Sequence, residues 1–157
     1  MLKIPKNLSV MLSLTIAAIF FLVCIAGLFV LPTLTQMLID LPDNLGNRDM
    51  ITPTGRALVL AAAYGIVLCF LLADGLLTSL LLRVRKGLVF TPCTVSLIRG
   101  VSWCCFLLCG LFGFLGIYFQ LSLLVAFLAV FLGLCLRVCK NAFEEATELK
   151  NENDLTV

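Results

Sequence analysis

Apolar residues run along the chain in four long blocks, and polar residues gather between them. Asn7 to Ile39 carries no charge, and Val10 to Leu31 is its dense apolar core. Ala57 to Leu82 forms the second block and holds a single charge, Asp74. Val101 to Phe119 is the third, and Leu121 to about Val138 the fourth. A spanning helix needs roughly 20 mostly apolar residues, so each block is long enough to cross a bilayer. The runs are continuous, without the alternation of a barrel strand. The pattern predicts one all-α domain, a polytopic membrane protein with four transmembrane helices at about 10–31, 57–82, 101–119 and 121–138 and a tail at 139–157. The first block is too long for the core of a signal peptide and no A-x-A site follows it, so it reads as a retained helix.

Local signals place the ends. Pro32 suits the end of the first helix. Thr52-Pro53 and Thr91-Pro92 each combine a capping hydroxyl with a proline at the first helical position, where the missing N–H costs nothing. From Pro92 the chain is expected to enter a helix at the membrane surface, with Val95, Leu97 and Ile98 toward lipid; it either stays separate or runs on into the third span, a continuity that Gly100 weakens. A turn centred on Gln120-Leu121-Ser122 predicts a tight antiparallel hairpin of the last two helices. The fourth is expected to continue beyond the membrane to about Lys150, where Asn151 and Asn153 favour fraying or a turn.

Composition supports the class. The chain is 62% hydrophobic and 13% charged over 157 residues, with a mean hydropathy of +1.15. An ordinary soluble domain is about a quarter charged, so this chain cannot coat a globule with polar side chains. The absence of histidine excludes imidazole-based triads, zinc sites and pH switches. A net charge of +2 does not suggest direct nucleic-acid binding. The bases set the orientation. Lys3 and Lys6, the loop residues Arg83, Arg85, Lys86 and Arg99, and Arg137, Lys140 and Lys150 put nine bases on one side of the spans. Only Arg48 and Arg56 lie on the other. The positive-inside rule then predicts that both termini are cytoplasmic.

Two regions carry candidate chemistry. Asp74 lies nine residues before Arg83, about 13 Å inward by the helical rise, in an apolar core of ~30 Å. An intramembrane acid is a functional hypothesis by default. Thr78 follows one turn later as a candidate hydrogen-bond donor, and Arg137 is a candidate partner from the fourth helix. Three readings stay open: a structural acid, a coupling site for a proton or cation, and an interface residue. The tail carries Glu144, Glu145, Glu148, Glu152 and Asp154 against one base, Lys150. It is either a solvated helix end or a docking segment for a basic partner.

The eight cysteines lie in or beside the spans, where Cys acts as a small hydrophobe. About Leu121, Cys109 and Cys135 lie at nearly equal depth, as do Cys105 and Cys139, so four thiols fall in one half of the hairpin. Zinc or iron–sulfur ligation is one reading, redox sensing a second, and close packing through the row Cys105, Cys109 and Gly113 a third. Gly110, Gly113 and Gly116 thin one side of the third helix, and Trp103 and Tyr118 suit its two interfaces. No phosphate loop, dinucleotide fingerprint or nucleophile elbow is present, so neither enzymatic activity nor a cofactor is expected.

The tail segments Asn141-Ala142-Phe143-Glu144-Glu145-Ala146 and Leu149-Lys150-Asn151-Glu152-Asn153-Asp154-Leu155-Thr156-Val157 resemble the C-terminus of a bacterial membrane family, domain of unknown function 2975. Gly87-Leu88-Val89-Phe90-Thr91-Pro92, followed by Leu97-Ile98-Arg99, resembles that family's loop pattern, and the four-span layout agrees. The resemblance implies no activity and carries no catalytic residues. It does imply a multi-pass protein of the bacterial cytoplasmic membrane, of a kind often encoded beside a very small helix-turn-helix regulator. The expected function is therefore a non-enzymatic membrane partner of such a regulator, bound through the basic loop, the acidic tail or both. The alternative is a small oligomeric transporter, or a transporter subunit, that uses Asp74.

Overall fold

The computed structural model describes residues 6–40 and 52–155, with the side chains of 6–9, 151 and 153–155 left aside. Lys3, the loop residues Asp43, Arg48 and Asp49, and the side chain of Asp154 thus lie outside the described residues. Four helices follow one another: α1 (Lys6–Asp40), α2 (Pro53–Arg85), α3 (Pro92–Leu115) and α4 (Gln120–Leu155). All four are long and apolar enough to cross a membrane, as the four apolar blocks predict.

The starts of α2 and α3 form as the Thr-Pro pairs dictate. Thr52 is extended, and its Oγ1 accepts from the amide of Gly55 at 3.2 Å. Thr91 does the same for Thr94 at 3.4 Å. Between them, α2 closes with a left-handed glycine. Gly87 has φ +75°, and the amides of Leu88 and Gly87 reach back to the carbonyls of Arg83 and Val84 at 3.0 and 3.1 Å. This 6→1 and 5→2 pair satisfies carbonyls that a helix end leaves open.

Four expectations are corrected. Pro32 does not end α1; it lies inside the helix. The uncharged run continues to Ile39, and Thr35 Oγ1 donates to the carbonyls of Leu31 and Pro32 at 3.0 and 2.9 Å. Membrane helices tolerate proline where hydroxyls and neighbouring groups meet nearby backbone. Pro92 to Gly100 does run on into the third span as the first part of α3, but Val95 and Ile98 are buried rather than turned to lipid. Gly100 lies within that helix at a close approach to α2, where a Cβ would lie 3.0 Å from Leu76 Cδ1. The third helix stops at Leu115 rather than Phe119, and α4 already begins at Gln120. Finally, α4 does not fray at Asn151 but stays helical to Leu155.

The helices pack in chain order, α1 on α2, α2 on α3 and α3 on α4, and other pairings touch only marginally. The core lies between α2 and α3, where Ala62, Ile66 and Cys69 meet Leu108 and Leu115. The outer helices expose large apolar side chains, with Phe29 82% and Phe127 72% exposed. Such faces suit hydrocarbon, where backbone groups are satisfied within each helix. α1 packs on α2 and buries Ala17 and Cys24.

Candidate functional site

Two places gather polar chemistry. The first is Asp74, in the middle of α2. Its side chain is only 5% exposed, and among the described residues no donor lies within hydrogen-bond distance of it. Thr78 is half-buried and makes no bond to it. Arg137 is elsewhere, its guanidinium stacked over Trp103 and Phe106 at 5.5 and 5.7 Å from the ring centroids. Arg137 fails for a physical reason: α4 packs on α3, so its side chains do not reach the α1–α2 seam.

Asp74 instead lines two cavities along that seam. One, of about 420 Å³, is walled by Ile16, Ala17 and Phe20 of α1, Phe70 and Leu77 of α2 and Val101 of α3, with Ser13 as the further polar residue. Phe20 and Phe70 meet edge to face at 5.9 Å and 83°. The other, of about 770 Å³, holds Thr15, Thr78 and, toward the base-rich end, Arg85. Only Asp74 is common to both walls.

The second place is the base-rich end, where the start of α3 meets the far end of α4. Thr94, 1% exposed, donates its hydroxyl to the Leu88 carbonyl at 3.1 Å and pairs with Thr91 Oγ1 at 2.9 Å. This pins the α2–α3 loop against α3. Phe90 of the loop then meets Phe143 of α4 at 6.1 Å between ring centroids. Glu144 is taken up internally, bonded to Lys140 and 3.7 Å from Arg99. Deeper along the seam, Ser102 Oγ donates to the Gly133 carbonyl at 3.0 Å. Arg99, Arg137 and Lys140 converge with Asn141 on a small cleft of about 160 Å³.

Of the other basic residues, Arg83 is half-buried in the last turn of α2, while Arg85 and Lys86 are exposed. Glu145, Glu148 and Glu152 are exposed on α4. The structure thus separates Glu144 from the acids it was grouped with. Sequence reasoning missed Thr94, Ser102 and the Phe20–Phe70 pair. Hydroxyls in apolar runs were the available signal for the first two; the aromatic pair depends on tertiary packing and leaves no periodic trace.

The four-thiol cluster does not form. Among the described residues no group of three or more Cys, Asp or Glu side chains is placed to hold a metal. Cys135 and Cys139 face outward, whereas Cys105 faces α4, where a Cβ on Gly133 would lie 3.2 Å from Cys105 Cβ. The hairpin turn lies at 116–119, nearer α3 than expected, and this shifts the register. Of the expected small-residue row, Cys105 does pack closely on α4, at Gly133, whereas Gly113 faces open space.

No curated protein and no solved structure matches the chain significantly. A family profile described as "Protein of unknown function (DUF2975)" matches residues 40–157, taking in all of α2, α3 and α4. The resemblance in the tail and loop is thus borne out, and the chain belongs to the DUF2975 family of uncharacterised proteins.

Proposed function

We propose that the protein is a non-enzymatic regulatory component of the bacterial cytoplasmic membrane, with both termini in the cytoplasm. It holds a small basic helix-turn-helix DNA-binding regulator at the membrane surface. The observation that carries this reading is the length and faces of α4. Its 36 residues span about 54 Å, well beyond a hydrocarbon core of ~30 Å. Past Val138 one side of the helix rests on the α2–α3 loop through Phe143, and Thr147 one turn later is buried at 5% exposed. Glu145, Glu148 and Glu152 stand exposed at spacings of three and four residues, which puts them along one side of the helix. A fixed acidic ridge complements a DNA-binding surface, which is basic because it neutralises phosphates.

Co-purification of the protein with a small helix-turn-helix regulator from the same bacterium, of the kind that the family resemblance implies, tests the reading. The complex is expected to survive in wild type and to weaken steeply with salt. It should be lost on truncation after Lys140 and weakened by Glu145→Lys with Glu148→Lys. A complex unaffected by truncation, or no complex at all, overturns the proposal.

A further inference from the structure

Asp74 is an unusual group to bury without a partner. An ionised carboxyl in an apolar environment costs several kcal/mol, and membrane acids commonly pair with another side chain or with backbone. Asp74 is 5% exposed and has no hydrogen-bond partner among the described residues. It forms the polar point of a cavity of about 420 Å³ whose other walls are almost wholly apolar. That volume lies in the range of small-molecule sites, which are apolar with a few placed polar groups. The wall beside it is aromatic, through the edge-to-face pair Phe20–Phe70.

These features define the chemistry of an occupant. A carboxylate attracts a cation. A bare hard cation such as calcium takes six or more oxygen ligands, and these walls offer the Asp74 carboxyl and the Ser13 hydroxyl. The cation must therefore bring its own apolar body. Aromatic faces favour such bodies directly, because ring quadrupoles attract desolvated cations. Arg85, which would repel a cation, lies in the other cavity and not in this one. The rim residues Ile16, Phe20 and Leu77 are exposed on the outer surface of the α1–α2 pair. The cavity thus opens where lipid tails would lie, and an amphiphile can enter from the bilayer.

We propose that the α1–α2 cavity is a binding site for a lipophilic organic cation, with Asp74 as counter-ion and Phe20 and Phe70 as the aromatic wall. The site is independent of the acidic ridge on α4, so either can fail without the other.

Equilibrium dialysis of tetraphenylphosphonium against the full-length protein in detergent tests this assignment, with triphenylphosphine oxide as a neutral analogue of similar shape. Saturable binding near one equivalent is expected for the cation, with the oxide binding at least about tenfold more weakly. Asp74→Asn should lower cation affinity at least about tenfold. Asp74→Glu should retain part of it, and Phe20→Ala should cost about threefold through the aromatic contact. Equal binding of cation and oxide overturns the proposal as mere partition into an apolar groove. Undiminished binding to a folded Asp74→Asn protein overturns it too, as does competition by sodium or calcium at the site. If Asp74→Asn does not fold, the comparison of cation and oxide on wild type decides alone.

Discussion

At the scale of single residues, the α3–α4 seam is set by two positions. Ser102 donates across it to the Gly133 carbonyl, and Gly133 lets the helices approach closely enough for that bond. Ser102→Ala should cost about 0.6 kcal/mol, the usual worth of an interhelical hydrogen bond in membranes. Gly133→Val should cost about 1–3 kcal/mol by overpacking against Cys105 and Phe106. Because the bulkier residue also pushes away the carbonyl that Ser102 uses, the double variant should lose less than the two losses combined. Reversible unfolding in mixed micelles measures all three. The sequence shows a serine in an apolar run and a glycine in another, but nothing ties them together. Their pairing depends on the hairpin register, and a turn misplaced by a few residues moves every cross-helix partner. Asp74, by contrast, is legible from sequence alone, since it is the one charge deep in a span. What the sequence could not supply is its surroundings, because the expected donor Arg137 lies on a helix that packs elsewhere.

At the scale of elements, the helix starts are legible because their cause is local. A hydroxyl and a proline in sequence are enough to form the caps of α2 and α3. Thr91→Ala removes the α3 cap and also the hydroxyl that pairs with Thr94. It should cost about 1 kcal/mol, and the loss should appear as faster amide exchange in the first turn of α3 and in the α2–α3 loop. The ends that sequence misplaced have non-local causes. Pro32 is a helix breaker by its own chemistry, yet α1 passes through it because the apolar run around it must keep its backbone bonded internally. Pro32→Ala should accordingly leave the helical content seen by circular dichroism unchanged. An increase would mean that proline does interrupt α1. The extension of α4 past Asn151 has a similar origin, since Phe143 docks its projecting end on Phe90 of the α2–α3 loop, and burial there offsets the low propensity of the asparagines.

At the scale of the molecule, serial packing makes the helices unequal. α2 and α3 share the core, whereas α1 touches the rest mainly along one seam with α2. Local stability follows local contact, so segments with few buried contacts open at lower free energy than the core. α1 should therefore detach without unfolding the others. Cys24, buried on α1 and outside both cavities, is the place to test this. Cys24→Phe inserts a ring where a thiol fits, at a cost of about 1–3 kcal/mol or more. The expected result is a large rise in amide exchange along α1, with α2, α3 and α4 protected as in wild type. Simultaneous loss of protection in all four helices would show one cooperative unit and would contradict the serial arrangement. The same experiment bears on the site at the seam, because a cavity bounded on one side by a weakly held helix can admit a ligand by small movements of that helix. A lipophilic cation that binds there should slow α1 exchange in the wild-type protein, since a ligand that binds only the closed seam stabilises it by mass action.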